Sequence, residues 1–156
     1  MPVKSAGLLL YRKSTGVEVF IAHMGGPFWA GRQAGAWSIP KGEFTSERPL
    51  TAARREFTEE IGVTPPDAEA VDLGTFRYSS GKTVRVFAVC APEFEVDAVR
   101  SNTFELEWPP RSGMIREFPE VDDARWTPVF EARELLTAGQ RPVLDALLAE
   151  LDGSAD

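Results

Sequence analysis

Apolar residues fall in short blocks along this chain, and the spacing within each block predicts an element. Ala6 to Arg12, centred on Leu8, Leu9 and Leu10, is expected to form a buried strand. After a turn at Gly16, Val17 to Ala22 is expected to be its hairpin partner. Met24 to Ala36, with Gly25, Gly26, Pro27, Phe28 and Trp29, has no period and is expected to be a loop. A short strand, Trp37 to Ile39, stops at Pro40, and Lys41 to Arg48 is expected to be a second loop. From Pro49 to Ile61 the period becomes helical: Leu50, Ala53, Phe57 and Ile61 share one face, Pro49 sits in the first turn, and Gly62 ends the helix.

Further on, Ala70–Tyr78 and Thr83–Ala91 are expected to be two strands joined through Ser79 to Lys82. Phe104 to Trp108 alternates as a half-buried strand would, and Pro109 and Pro110 stop it. Ala124 to Thr127 is expected to be a last short strand. Val143, Leu144, Leu147, Leu148 and Leu151 mark a C-terminal amphipathic helix, followed by a polar tail at 152–156 expected to be disordered. Strands alternating with two helices predict an α/β or α+β fold, a mixed sheet covered by helices. Residues 1–151 are expected to form a single domain.

Composition narrows the function classes. A net charge of −7 and a pI near 4.8 argue against broad binding to nucleic acid or to anionic membranes, so no DNA binding and no membrane association are expected. No run approaches the roughly 20 apolar residues of a membrane span, and no secretory signal is evident. The single cysteine, Cys90, excludes an intramolecular disulfide and is expected to be a small buried hydrophobe. The expected location is the cytoplasm.

The candidate chemistry lies on the first helix, in Arg54-Arg55-Glu56-Phe57-Thr58-Glu59-Glu60. At 100° per residue Glu56, Glu59 and Glu60 fall on one arc, away from the apolar face. A run of glutamates is by itself most often a solvated face. Three carboxylates on one arc also repel, and a bound cation would relieve the repulsion. All-oxygen ligands suit Mg²⁺ or Mn²⁺ rather than zinc.

Read from Gly42 to Val63, the segment resembles the Nudix box: Gly, five residues, Glu, seven residues, then Arg-Glu-apolar-x-Glu-Glu-x-Gly-apolar. Glu47, Arg55, Glu56, Phe57, Glu59, Glu60, Gly62 and Val63 match it, and Ile39-Pro40-Lys41-Gly42 is similar to the usual lead-in. Phe104 to Gly113 is similar to a little-characterised bacterial subgroup. One departure stands out. Only four residues separate Gly42 from Glu47, as if one had been deleted around Thr45 and Ser46. Arg48 also precedes Pro49 where a Ser or Asp cap is usual, which makes Ser46 the candidate cap.

The resemblance implies an α/β/α sandwich and hydrolysis of a nucleoside diphosphate linked to another group, such as an NTP or a dinucleoside polyphosphate. It implies a divalent metal held by Glu56, Glu59 and Glu60 with the Gly42 carbonyl, and Arg55 orienting Glu47. Glu59, Glu60 and Arg55 are then the catalytic candidates. A further glutamate on a later loop is common in the family. Glu120, six residues before Trp126, is the first candidate, with Glu117, Glu105 and Glu107 as alternatives. Lys41 is the expected phosphate contact, and Trp29 and Trp37 are candidates for stacking on a base. Arg54 is expected to bind phosphate or pair with a carboxylate, and His23 to be structural. Members are often homodimers. The alternative from another class is a nucleotide-sensing module that kept the fold and lost the chemistry. Such modules usually lose box glutamates, which are all present here.

Overall fold

The computed structural model describes residues 3–154. Its centre is a mixed sheet. Strand β1 (Lys4–Lys13) runs parallel to β6 (Thr83–Cys90) and antiparallel to β2 (Val17–Met24). On one side β2 continues to β3 (Trp37–Ser38), and on the other β6 continues to β5 (Ala70–Arg77). Two further strands branch from this path: β4 (Lys41–Glu43) pairs with the start of β1, and β9 (Val121–Pro128) pairs with β2. Strands β7 (Thr103–Glu107) and β8 (Ile115–Pro119) form a separate two-stranded hairpin.

The sheet is buried on both faces, which is why β1 shows no polar alternation. Leu8 and Leu10 face helix α1 (Pro49–Ile61), packing with Phe20, Ala53, Phe57 and Ile61. Leu9 faces the opposite layer with Val19, Ile21, Trp37, Ile39 and Val86, covered by helices α2 (Val129–Leu135) and α3 (Arg141–Ser154). The result is an α/β/α sandwich. Phe57 is fully buried, its ring 6.1 Å from Phe20 and 5.6 Å from Phe94. Truncating it would cost about 4 kcal/mol and loosen α1 from the sheet.

Several sequence expectations need correction. Lys41 to Glu43, expected as loop, is a strand, because its pairing with Ser5, Ala6 and Gly7 is non-local and leaves no period to read. Helix α2 and strand β8 are too short and too polar to declare themselves. Neither Ser46 nor any other side chain caps α1; Arg48 occupies the N-cap position without a cap bond, and Gly62 closes the helix in the left-handed region at φ 92°. Cys90 is exposed at the last position of β6. The polar residues 152–154, expected in a disordered tail, continue α3, while 155 and 156 lie outside the described residues. Among the described residues no helix is long and apolar enough to cross a membrane.

Candidate active site

The apolar stripe of α1 fixes which way its acids point. With Ala52, Ala53, Phe57 and Ile61 against the sheet, Glu56, Glu59 and Glu60 project beside β4 and form one wall of a cavity of ≈320 Å³. Gly42 and Glu43 of β4 add a second wall, and Glu120, at the root of the β7–β8 hairpin, adds a third with Asn102. Lys41 lines the same cavity. The structure thus brings Glu120 together with the helix glutamates. Glu105, Glu107 and Glu117 lie on the hairpin, and none lines the cavity.

Close approach decides Gly42. A Cβ built there would overlap the Glu56 carboxylate, so any larger residue would push that carboxylate from its present position. The missing residue between Gly42 and Glu47 therefore leaves Gly42 against the acids, and the shortened turn still delivers Glu47 to the helix. Arg55 donates from Nε to both Glu47 oxygens, at 3.0 and 2.9 Å, and from Nη2 to Oε1 at 2.6 Å. Its Nη1 donates to Glu56 at 2.8 Å and to Glu59 at 3.1 Å. One guanidinium fork thus holds three carboxylates, which a lysine could not do. The Glu47 contact, before all others, raises the Arg55 pKa still further, and Arg55 holds the Glu47 carboxyl below its usual range.

Glu60 is the electrostatic outlier. Burial pushes its carboxyl up to about 7, and the negative charges of Glu56 and Glu120 add to the push. The backbone N–H of Lys41, donating to Oε1 at 3.0 Å, and the Lys41 charge oppose it. Burial also raises the Glu56 carboxyl. As the side chains stand, no three acidic, histidine or cysteine groups among the described residues converge on a single point. Arg55 Nη1 lies between Glu56 and Glu59. The donor set still fits a hard divalent cation: five carboxylates line the cavity against the one ammonium of Lys41, with neither His nor Cys in the lining.

A second cavity of ≈280 Å³ adjoins the first, and Lys41 lines both. Its walls include Met24, Trp29, Ser38, Tyr78 and Thr137. Half-buried Trp29 lines this second cavity. Trp37 does not. It is 2% exposed, its Nε1 donates to Gln33 at 3.1 Å, and the Arg125 guanidinium lies 4.6 Å from its ring centre. Trp37 is a core residue with no face left for a ligand, which corrects the sequence reading.

Other expected roles also resolve. Arg54 donates to the carbonyls of Pro66 and Ala68 at 3.0 and 2.9 Å and pins the chain after α1, so it does not reach the acids. His23 is buried between Asp122 and the Arg32 carbonyl, each at 2.7 Å, and is structural. Sequence reasoning missed Tyr78 and Asn102, which sit at a strand end and in an aperiodic stretch. It also missed Gln140, fully buried, whose amide accepts from Ile39 N–H at 2.8 Å and donates to Ser38 and Tyr78 at 2.9 and 3.0 Å.

Residues 1–147 match the family profile described as NUDIX domain. The chain belongs to that family, and by class it is a hydrolase of pyrophosphate bonds. It is 30% identical to an RNA pyrophosphohydrolase of Agrobacterium fabrum over 91% of this chain and 92% of that one. Its fold is similar to a C. elegans Ap4A hydrolase, with a TM-score of 0.67 at 22% identity over 96% and 98% of the two chains. It is also similar to the NUDIX domain of Shewanella oneidensis NrtR solved with ADP-ribose, with a TM-score of 0.67 at 14% identity over 97% and 89%.

Proposed function

We propose that this protein is a Mg²⁺- or Mn²⁺-dependent hydrolase of a nucleoside diphosphate linked to a further group, with dinucleoside polyphosphates and 5′-triphosphates as the leading substrates. The observation that carries this reading is the shared cavity: Glu120 from the hairpin and Glu56, Glu59 and Glu60 from α1 face one space, and Lys41 joins it to the pocket of Trp29 and Tyr78. Glu56, Glu59, Glu60 and the Gly42 carbonyl would hold the metal. A divalent ion bound there would screen the phosphate charges and would lower the pKa of water toward neutrality.

The chain's own groups supply positioning. Arg55 fixes Glu56 and Glu59 against mutual repulsion and is itself anchored on Glu47. Glu120, which lines the same cavity, would accept the proton of the attacking water. Lys41 offers its ammonium to the phosphates between the two cavities, and Trp29 and Tyr78 offer ring faces to a base. Support for the substrates comes from relatives named for RNA pyrophosphate and Ap4A hydrolysis.

The test is a panel of NTPs, dinucleoside polyphosphates, 5′-triphosphate RNA, ADP-ribose and nucleotide sugars with Mg²⁺ or Mn²⁺, with products identified. Turnover of a diphosphate-linked nucleotide is expected. Binding without turnover across the panel would replace the enzyme with a nucleotide-sensing module.

A further inference from the structure

We infer that Asn102 is a further substrate-contacting residue, whose carboxamide donates a hydrogen bond to a phosphoryl oxygen of the diphosphate linkage from the hairpin side of the acidic cavity. The inference rests on the function proposed above and adds a donor that the box does not contain.

Placement is the first argument. The backbone of Asn102 is held at both ends by the groups that build the site. Its N–H donates to the Glu59 carbonyl at 2.9 Å, and its own carbonyl accepts from the Glu120 N–H at 2.8 Å. Two residues earlier, the Arg100 N–H donates to the Ile61 carbonyl at 2.9 Å, and a Cβ on Gly62 would overlap Arg100. The chain entering the hairpin is thus seated on the last turn of α1. The Asn102 backbone is thereby tied to Glu59 and Glu120, while Asn102 lines the cavity and its exposed side chain has no hydrogen-bond partner among the described residues.

Chemistry is the second. A polyphosphate entering this space meets five carboxylates and needs donors. Arg55 is committed to Glu47, Glu56 and Glu59. Beyond Lys41, Asn102 is the one cavity-lining residue among the described residues whose side chain carries a donor. A neutral NH₂ serves better here than a second cation, because it binds a phosphoryl oxygen without competing electrostatically for the acids. An aspartate at this position would add a sixth carboxylate, drawing in metal and repelling substrate.

The experiment compares wild type, Asn102→Ala and Asn102→Asp by calorimetric titration. The probes are Mn²⁺ alone, then α,β-methylene-ATP and imidodiphosphate in the presence of Mn²⁺, alongside kcat/KM on whichever panel substrate turns over. Asn102→Ala is expected to weaken binding of the phosphate probes and to lower kcat/KM by about tenfold. Its Mn²⁺ affinity and melting temperature should stay at wild-type values, which a structural role alone would not predict. Asn102→Asp should bind Mn²⁺ more tightly and the phosphate probes more weakly than Asn102→Ala. Phosphate-probe affinity in Asn102→Ala within twofold of wild type overturns the inference, as does a wild type that binds neither probe. A wild type that binds the probes but turns over nothing sinks the enzymatic reading, while the Asn102 contact is still decided by the binding series.

Discussion

Helix α1 and the root of the β7–β8 hairpin face each other across the acidic cavity, and they are built on opposite plans. On α1, three acids and the arginine that separates them come from six consecutive residues, placed by helical pitch alone. At the hairpin root, Asn102 and Glu120 are eighteen positions apart and meet through one backbone hydrogen bond. A second bond runs from the Gly25 N–H to the Glu120 carbonyl at 2.9 Å, possible because a Cβ on Gly25 would collide with the Pro119 carbonyl. The helix half depends chiefly on α1 being folded, with nearby support from Glu47, Lys41 and Gly42. The hairpin half depends on two distant segments being correctly seated. Site precision can therefore be lost on one side while the other stays intact.

Four perturbations exploit that difference. Glu60→Gln strikes the helix half directly. Metal-dependent hydrolysis should fall about a thousandfold in a steady-state assay, with an unchanged circular dichroism spectrum. Residual activity near wild type would remove Glu60 from the metal site.

The same residue gives a pH signature in the metal-free protein. Its carboxyl, raised from 4.5 to about 7, holds a proton more tightly folded than unfolded. That contribution to stability is fully present below about pH 4.5 and is lost as the pH rises through 7, on the order of 3 kcal/mol. Urea melts in EDTA should follow this slope. Glu60→Gln should flatten it, and Mg²⁺ should stabilise wild type more at pH 8 than at pH 5.

On the other half, Glu120→Gln is expected to lower kcat about a hundredfold while leaving the urea midpoint unmoved, since Glu120 is exposed and supports no packing. A midpoint that moved with kcat would mean the effect is structural. The mildest change is Gly25→Ala, which touches no acid. By displacing Pro119 and Glu120 it should reduce kcat/KM about tenfold, with Mn²⁺ affinity at the helix glutamates retained. Full activity in this variant would show that the hairpin root tolerates a shift.

What was legible in the sequence divides along the same line. The α1 bounds, its apolar face and the acid arc follow from local spacing, the Arg55–Glu47 pair follows from the family resemblance, and the structure has each of them. Strand β4 and the Tyr78 pocket depend on contacts between segments far apart in the chain, for which period and propensity carry no signal. Trp37 failed for a related reason. Aromatic character says that a ring wants company, but only packing decides whether that company is Gln33, His23 and Arg125 or a nucleobase. Glu120 was reachable only through its distance from Trp126, a family spacing rather than a physical one.

Gln140 has a wider consequence. Its amide ties the start of α3 to Ser38, Ile39 and Tyr78, so the pocket proposed for the base is an outgrowth of the core under α3, while the acids belong to the core under α1. On the function proposed above, recognition and reaction would be housed in separate mechanical compartments that share Lys41. Under that proposal, repacking around Tyr78 and Thr137 would change the nucleotide bound without re-solving the harder problem of holding five like charges together.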